Sequence, residues 1–121
     1  MKQFRQLDVW RRSHALALQI YRLSAKFPVE ERFGLMTQIR RAVVSVPTNI
    51  AEGAKRQRKL DYARFLNISE GSLAETNYLL LLARDLGYSR AESIDSLIAE
   101  SDEILRMLYA LRRRVEQRDD A

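Results

Sequence analysis

Apolar residues recur at intervals of three and four along almost the whole chain, which is the spacing of one face of an α-helix. Four such series predict four helices, and no stretch shows the period of two that is typical of a β-strand. The residues predicted to face the core are, helix by helix, Val9, Ser13, Leu16, Ile20, Leu23 and Phe27; Leu35, Ile39, Ala42, Val43, Val46 and Ile50; Tyr62, Phe65, Leu66, Ser69, Leu73, Thr76, Leu80 and Ala83; and Ile94, Leu97, Ser101, Ile104, Leu108, Leu111 and Val115. Because the connections near residues 28–32 and 87–89 are short, the pattern favours an all-α fold. The expected architecture is an antiparallel up-down-up-down four-helix bundle that forms a single domain over residues 1–121.

The second predicted helix, over about residues 33–55, contains Pro47. Proline has no backbone N–H to donate, and its ring is pushed against the carbonyl of Val43. Because the apolar spacing continues through Ile50, we expect helix two to be kinked at Pro47 and not broken there. Residues 53–60 contain one glycine and no proline, so they are expected to form either a turn or a bend in nearly continuous helix.

The third predicted helix has a second line of residues at the same spacing. These residues are Ile68, Gly71, Glu75, Tyr78 and Leu82. Each helix of a four-helix monomer keeps an outer face, so an apolar line there predicts cover by a second copy of the chain. Gly71 would let the backbone of that neighbour approach closely. The alternative is that long arginine side chains from the first and fourth helices lie over this line. We therefore predict a homo-oligomer whose interface contains Ile68, Gly71, Tyr78 and Leu82.

The composition restricts the chemistry that the chain can perform. Of its 121 residues, 46% are apolar and 31% are charged, as in an ordinary globular domain. The absence of cysteine excludes disulfides, thiolate metal sites and cysteine nucleophiles, and it fits a reducing compartment. No apolar run approaches the roughly 18 residues of a membrane span, so we expect a cytoplasmic protein that does not use a membrane.

The single histidine, His14, offers little catalytic chemistry. Di-metal helical bundles use a Glu-x-x-His spacing, whereas Arg11 precedes His14 by three residues. The chain also has no glycine-rich phosphate loop and no serine with a histidine placed to activate it. We expect His14 to be a packed or interfacial residue beside Trp10, and we predict no enzymatic activity, no metal and no cofactor.

The net charge of +5 is distributed unevenly. Residues 1–64 contain 14 basic and 5 acidic side chains, whereas residues 65–121 contain 7 and 11. Positive charge is densest at Lys55-Arg56-Gln57-Arg58-Lys59, which an oligomer would repeat as a multivalent basic surface. The arginines 112–114 have a sufficient local role, because cations at the C-terminal end of a helix oppose its dipole. We predict that Lys55, Arg56, Arg58 and Lys59, together with Arg41, contact structured RNA or DNA. The alternative is an interaction module whose basic half meets an acidic protein and which has no role with nucleic acid.

Several segments of the chain resemble a known family. They are Leu7-Asp8-Val9-Trp10, Phe33-Gly34-Leu35, Gln38-Ile39-Arg40-Arg41-Ala42, Ser45-Val46-Pro47-Thr48-Asn49-Ile50-Ala51-Glu52-Gly53 and Gly71-Ser72-Leu73-Ala74-Glu75. Over nearly its whole length the sequence resembles the four-helix-bundle proteins encoded in intervening sequences of bacterial 23S rRNA genes. The resemblance implies a homopentamer, similar to the related accessory proteins of diversity-generating retroelements, which bind nucleic acid and a reverse transcriptase. It implies no known enzymatic activity. Its most specific residues are Arg40, Arg41, Pro47, Asn49, Glu52 and Gly53.

The polar residues of this signature gather on the side of helix two that faces away from the core. Arg41 and Glu52 are separated by about 16 Å along the helix axis, too far to pair with each other. Each therefore needs another partner, such as an adjacent subunit, the carbonyl freed by Pro47 or a ligand phosphate. The structural interpretation is that Asn49 and Glu52 satisfy backbone groups at the kink and the following turn.

Overall fold

Four long helices that pack against one another make up most of the protein. The structure is a computed structural model, and it describes residues 4–117. The helices are α1 (Asp8–Ser24), α2 (Leu35–Ala54), α3 (Lys59–Asp85) and α4 (Ala91–Gln117), and short 3₁₀ helices lie at Phe4–Gln6 and Val29–Glu31. Residues 4–117 include no β-strand. The predicted all-α four-helix bundle is therefore confirmed. The antiparallel order of the helices and a kink at Pro47 stay predictions.

The buried side chains match the faces that the sequence pattern predicts. Every residue predicted to face the core is buried except Leu23, Tyr62, Phe65 and Leu111, which are half-buried. The buried hydroxyls are also satisfied. Ser13 donates to the carbonyl of Val9 at 2.7 Å, and Ser69 of α3 donates to the carbonyl of Val46 in α2 at 2.8 Å. Because a buried polar group without a partner is costly, these bonds let serine occupy core positions.

The connection between α2 and α3 is a true break in the helix. Residues 55–58 lie between the two helices, so the alternative of a bend in nearly continuous helix is wrong. The break follows a close approach at Gly53, which is buried. A Cβ atom on Gly53 would lie 2.8 Å from Phe65 Cβ and 3.0 Å from Tyr62 Cδ1. The last turn of α2 therefore lies directly against the first turns of α3, and residues 55–58 are held at the end of the bundle.

Ion pairs connect α4 to α1 and α3. The Arg12 guanidinium of α1 forms two bonds with the Glu100 carboxylate of α4, at 2.6 and 2.8 Å. Arg112 of α4 pairs with Glu70 of α3, and this hydrogen bond raises the pKa of Arg112 above its ordinary value. Arg112 also pairs with Glu116 at 2.9 Å. Part of the arginine cluster at residues 112–114 is thus engaged in holding the bundle together.

The Glu31 carboxylate accepts a hydrogen bond from the first residue of α2. The backbone N–H of Leu35 donates to Oε1 of Glu31 at 2.9 Å, and the hydroxyl of Tyr88 donates to Oε2 of Glu31 at 2.8 Å. Both bonds favour the ionised carboxylate, the Leu35 bond first, so the pKa of Glu31 is lowered. The Tyr88 ring also contacts Phe27, with the ring centroids 5.6 Å apart. The start of α2 is therefore joined to the connection between α3 and α4.

Replacement of Gly53 tests the close approach of α2 to α3. Gly53→Ala should destabilise the protein by about 1–3 kcal/mol, because the added methyl group would overlap Phe65. Gly71→Ala is the matched control, since nothing lies within 4 Å of a Cβ at that helical position. In the isolated chain it should keep the stability or raise it by about 0.5–1 kcal/mol. Denaturant unfolding followed by circular dichroism measures both effects, in samples that light scattering shows to be monomeric, so that the predicted interface at Gly71 does not contribute. Equal stability of the two variants would contradict the close approach.

The titration of Glu31 tests its hydrogen bonds with Leu35 and Tyr88. Tyr88→Phe should move the pKa of Glu31 back toward its ordinary value, and the Leu35 bond should keep it partly lowered. Because the folded pKa is depressed, the stability from Glu31 is present above the pKa of the unfolded chain and is lost as pH falls through the folded pKa. Carboxyl NMR titration of both proteins measures the change in the pKa of Glu31. Identical Glu31 titrations would show that the Tyr88 bond is absent.

Candidate functional site

Residues 55–59 contain four of the side chains predicted to contact nucleic acid, and we call this segment the basic connection. It lies at the end of the bundle, where α2 ends and α3 begins. Lys55, Arg56 and Arg58 are exposed, and Lys59 is the half-buried first residue of α3. The Arg56 guanidinium lies over the ring of Phe65, 4.8 Å from its centroid. Within residues 4–117, none of Lys55, Arg56 and Arg58 forms an ion pair. The connection is therefore an exposed positive surface whose charge is largely uncompensated.

Arg41 lies away from the basic connection. It precedes Lys55 by roughly 21 Å along the axis of α2, at 1.5 Å per residue. Arg41 lines a polar groove of about 580 Å³ between α2 and α3, opposite Glu75 of α3. The predicted nucleic-acid-binding side chains of residues 55–59 thus lie together in the structure, and Arg41 lies apart from them.

Asn49 stabilises the contact between α2 and α3. Its amide Nδ2 donates to the Ser45 carbonyl at 2.8 Å and approaches the Ser45 hydroxyl at 2.9 Å. That hydroxyl is hydrogen-bonded to Ser72 of α3 at 2.8 Å. The structural interpretation therefore fits Asn49. It is wrong for Glu52, whose exposed side chain forms no hydrogen bond within residues 4–117.

Arg40 connects α1 to α2, a role that sequence reasoning missed. Its guanidinium donates to the hydroxyl of Ser24 at 2.8 Å and to the carbonyl of Tyr21 at 3.0 Å. The same group lies 4.5 Å from the centroid of the Tyr21 ring. Arg40 thus adds a hydrogen bond to a carbonyl in the last turn of α1, which also accepts from the backbone N–H of Ala25 at 3.2 Å. The Ser24 and Arg40 pair is separated by 16 residues, so no local spacing indicates it.

A second uncovered surface, which we call the α1–α2 groove, is apolar and has a volume of about 560 Å³. Trp10 stacks on His14 within it, with the ring centroids 5.1 Å apart and the planes inclined by 10°. Further along the groove the side chains of Leu18, Tyr21 and Val44 are 44%, 43% and 40% exposed. His14 therefore lies beside Trp10, as expected, although it is exposed. The groove itself was not predicted, because its walls come from two different helices.

The outer face of α3 forms a third surface, which we call the α3 ridge and define by Ile68, Gly71 and Tyr78. Ile68 is 45% exposed and Tyr78 is 58% exposed. Nothing lies within 4 Å of a Cβ at Gly71. Arginine side chains therefore do not cover this line of residues, so that alternative is wrong. Leu82, the fourth residue of the predicted interface, packs half-buried against the core.

Two further features bear on the chemistry of the described chain. Within residues 4–117, no group of three or more His, Cys, Asp and Glu side chains is placed to hold a metal ion. The same part of the chain contains no helix that is both long enough and apolar enough to cross a membrane.

The stability of two variants tests the structural role of Asn49. Asn49→Ala should lower the free energy of unfolding by about 0.5–1.5 kcal/mol, because it removes two hydrogen bonds from a half-buried amide. Glu52→Ala is the control from the same polar side of α2, and its exposed side chain should make a difference within about 0.5 kcal/mol. Thermal unfolding compares the two. If Asn49→Ala melted like the wild type, the amide would not be a structural group.

Comparison with known proteins gives the family of this chain. The sequence pattern of the family described as 23S rRNA-intervening sequence protein matches residues 5–110. Among solved structures, the chain is similar to a protein with unknown function from the S23 ribosomal protein family of Bacteroides thetaiotaomicron VPI-5482. The TM-score is 0.78 at 28% sequence identity, and the alignment covers 87% of this chain and 98% of the other. A search of curated proteins finds no match. Since the family pattern extends over most of the chain and the fold agrees, the chain belongs to the 23S rRNA-intervening sequence protein family.

Proposed function

We propose that this protein is a non-catalytic, homopentameric scaffold or accessory protein that binds structured RNA or DNA through the basic connection. The observation that carries the proposal is the exposure of Lys55, Arg56 and Arg58 without an ion-pair partner in the described chain. Phosphate groups of a nucleic acid are the partners that such a surface fits best.

Several arginines elsewhere in the bundle are paired with carboxylates of another helix. Arg12 pairs with Glu100, Arg84 with Asp95, and Arg112 with Glu70. Those arginines hold helices together, whereas crowding of Lys55, Arg56 and Arg58 in one exposed connection produces mutual repulsion. A polyanion would relieve that repulsion, which supports a ligand role for the connection.

The geometry favours recognition of the nucleic-acid backbone over recognition of bases. Phosphate contacts position a protein on a duplex, but they read no sequence. The basic connection is a short exposed segment of basic side chains, and the chain has no known nucleic-acid recognition motif. We therefore expect binding that depends on shape and charge and varies little with sequence.

An oligomer would strengthen such binding. One connection offers few phosphate contacts, but copies held in a single assembly act together through their high effective concentration. The exposed Ile68 and Tyr78 of the α3 ridge support self-association, because apolar side chains on a helix exterior are stabilised when another surface covers them.

The salt dependence of binding tests the role of the basic connection. Arg56→Gln combined with Arg58→Gln should flatten the slope of log affinity against log salt by about one to two units per engaged subunit. The physical reason is that each neutralised phosphate contributes about 0.7–0.9. Fluorescence anisotropy with a labelled RNA hairpin and a labelled DNA duplex measures the slope.

The control removes the same charge from arginines that already have partners. Arg106→Gln combined with Arg113→Gln breaks ion pairs with Glu103 and Glu116 at the surface of α4 and should leave the slope close to that of the wild type. An unchanged slope in the Arg56 and Arg58 variant would remove the connection from the binding site. If the wild type bound neither RNA nor DNA in low salt, the interaction module for an acidic protein would be favoured instead.

A further inference from the structure

The α1–α2 groove and the α3 ridge are uncovered apolar surfaces on different helices of the described chain. We propose that the α1–α2 groove of one copy receives the α3 ridge of a second copy, so that every chain uses both surfaces in a head-to-tail contact. This inference rests on the homo-oligomeric state proposed above, and it adds which two faces meet.

The shapes of the two surfaces favour contact between unlike faces. The groove is a concavity of about 560 Å³ with Trp10, Leu18 and Val44 among its lining residues. The ridge is the convex exterior of one helix, and at Gly71 it has no side chain to hold a neighbour away. A twofold dimer that joined ridge to ridge would leave both grooves open, and one that joined groove to groove would leave both ridges exposed. Contact between unlike faces covers both surfaces of each interior chain.

Charge favours the same pairing. Helices α1 and α2 together contain five basic and two acidic side chains, a net charge of +3. Helices α3 and α4 together contain seven basic and ten acidic side chains, a net charge of −3. A contact between unlike helix pairs is attractive and a contact between like pairs is repulsive, so the charges both promote the head-to-tail arrangement and oppose the twofold ones.

The area of the chain accommodates two such contacts. A specific interface of standard size covers roughly 800 Å² on each partner. The chain has an accessible surface of 7358 Å², so one contact of that size would use about a tenth of it. The groove and the ridge share no residue, so one chain can bind a neighbour on each side.

A repeated contact between unlike faces has a consequence for symmetry. Such heterologous contacts close into rings when the rotation between neighbours divides a full turn, and they do not stop at a twofold dimer. A cyclic pentamer contains only contacts of this kind. The pairing of groove and ridge is therefore compatible with the proposed homopentamer.

Two charge substitutions test the pairing. Leu18→Glu places a carboxylate in the groove and Tyr78→Glu places one on the ridge, at side chains that are exposed enough to leave the fold intact. Every contact needs one groove and one ridge, and each variant alone has only one of the two surfaces intact. Its mass by light scattering should therefore fall to about that of a single 14.1 kDa chain.

An equimolar mixture gives the decisive result. The ridge of the Leu18→Glu chain and the groove of the Tyr78→Glu chain are both unchanged, so they can form one contact. The remaining two faces are both substituted, so assembly should stop at a one-to-one pair of about twice the 14.1 kDa chain mass. Native mass spectrometry with one isotopically labelled variant distinguishes this mixed pair from pairs of identical chains.

The controls separate this inference from the proposed function. Gln19→Glu adds the same charge at an exposed position of α1 outside both surfaces, and it should keep the wild-type mass. Circular dichroism verifies that each variant is folded. If either single variant kept the wild-type mass, or if the mixture stayed monomeric, the pairing of groove and ridge would be wrong. The oligomeric state of the wild type would not be affected by that result. A monomeric wild type would overturn the oligomeric state and the pairing together, and the salt dependence of RNA binding would still be decided by the Arg56 and Arg58 variant.

Discussion

The close approach of α2 to α3 is the constraint on which the other features of the bundle depend. Small residues make it possible, because Gly53 leaves room for Phe65 and the hydroxyls of Ser45 and Ser72 meet between the helices. Ser69 then bonds to the carbonyl of Val46, immediately before Pro47. Polar and small side chains thus produce a contact that larger apolar residues would hold open, and the apolar core forms on either side of it.

This contact also determines where the charge is placed. Because the end of α2 lies against the start of α3, the chain must turn within residues 55–58, and the basic side chains there are exposed. Arginines that lie between helices find carboxylates, as Arg12 and Arg112 do. Lys55, Arg56 and Arg58, by contrast, form no ion pair within residues 4–117, which supports the proposed binding of nucleic acid at that end.

The signature of the family combines several roles in one helix. Gly53 allows the close approach, Asn49 bonds to Ser45, and Arg40 secures the end of α1. Arg41 and Glu52 remain exposed at different points along α2, Arg41 in the polar groove and Glu52 in the lining of the apolar α1–α2 groove. A short, specific stretch of sequence thus contributes both to the contacts inside the bundle and to two of its outer surfaces.

The sequence by itself determined the four helices and nearly all of the core, because the spacing of apolar residues within a helix decides which face is buried. It also indicated the exposed α3 ridge, since Ile68 and Tyr78 lie on one line of the same helix. Only the tertiary structure decided that Arg41 lies apart from the basic connection, that Arg40 bonds to Ser24, and that α1 and α2 enclose an apolar groove. These features depend on the distance and rotation between helices that are remote in sequence, and periodicity within each helix contains no information about either quantity.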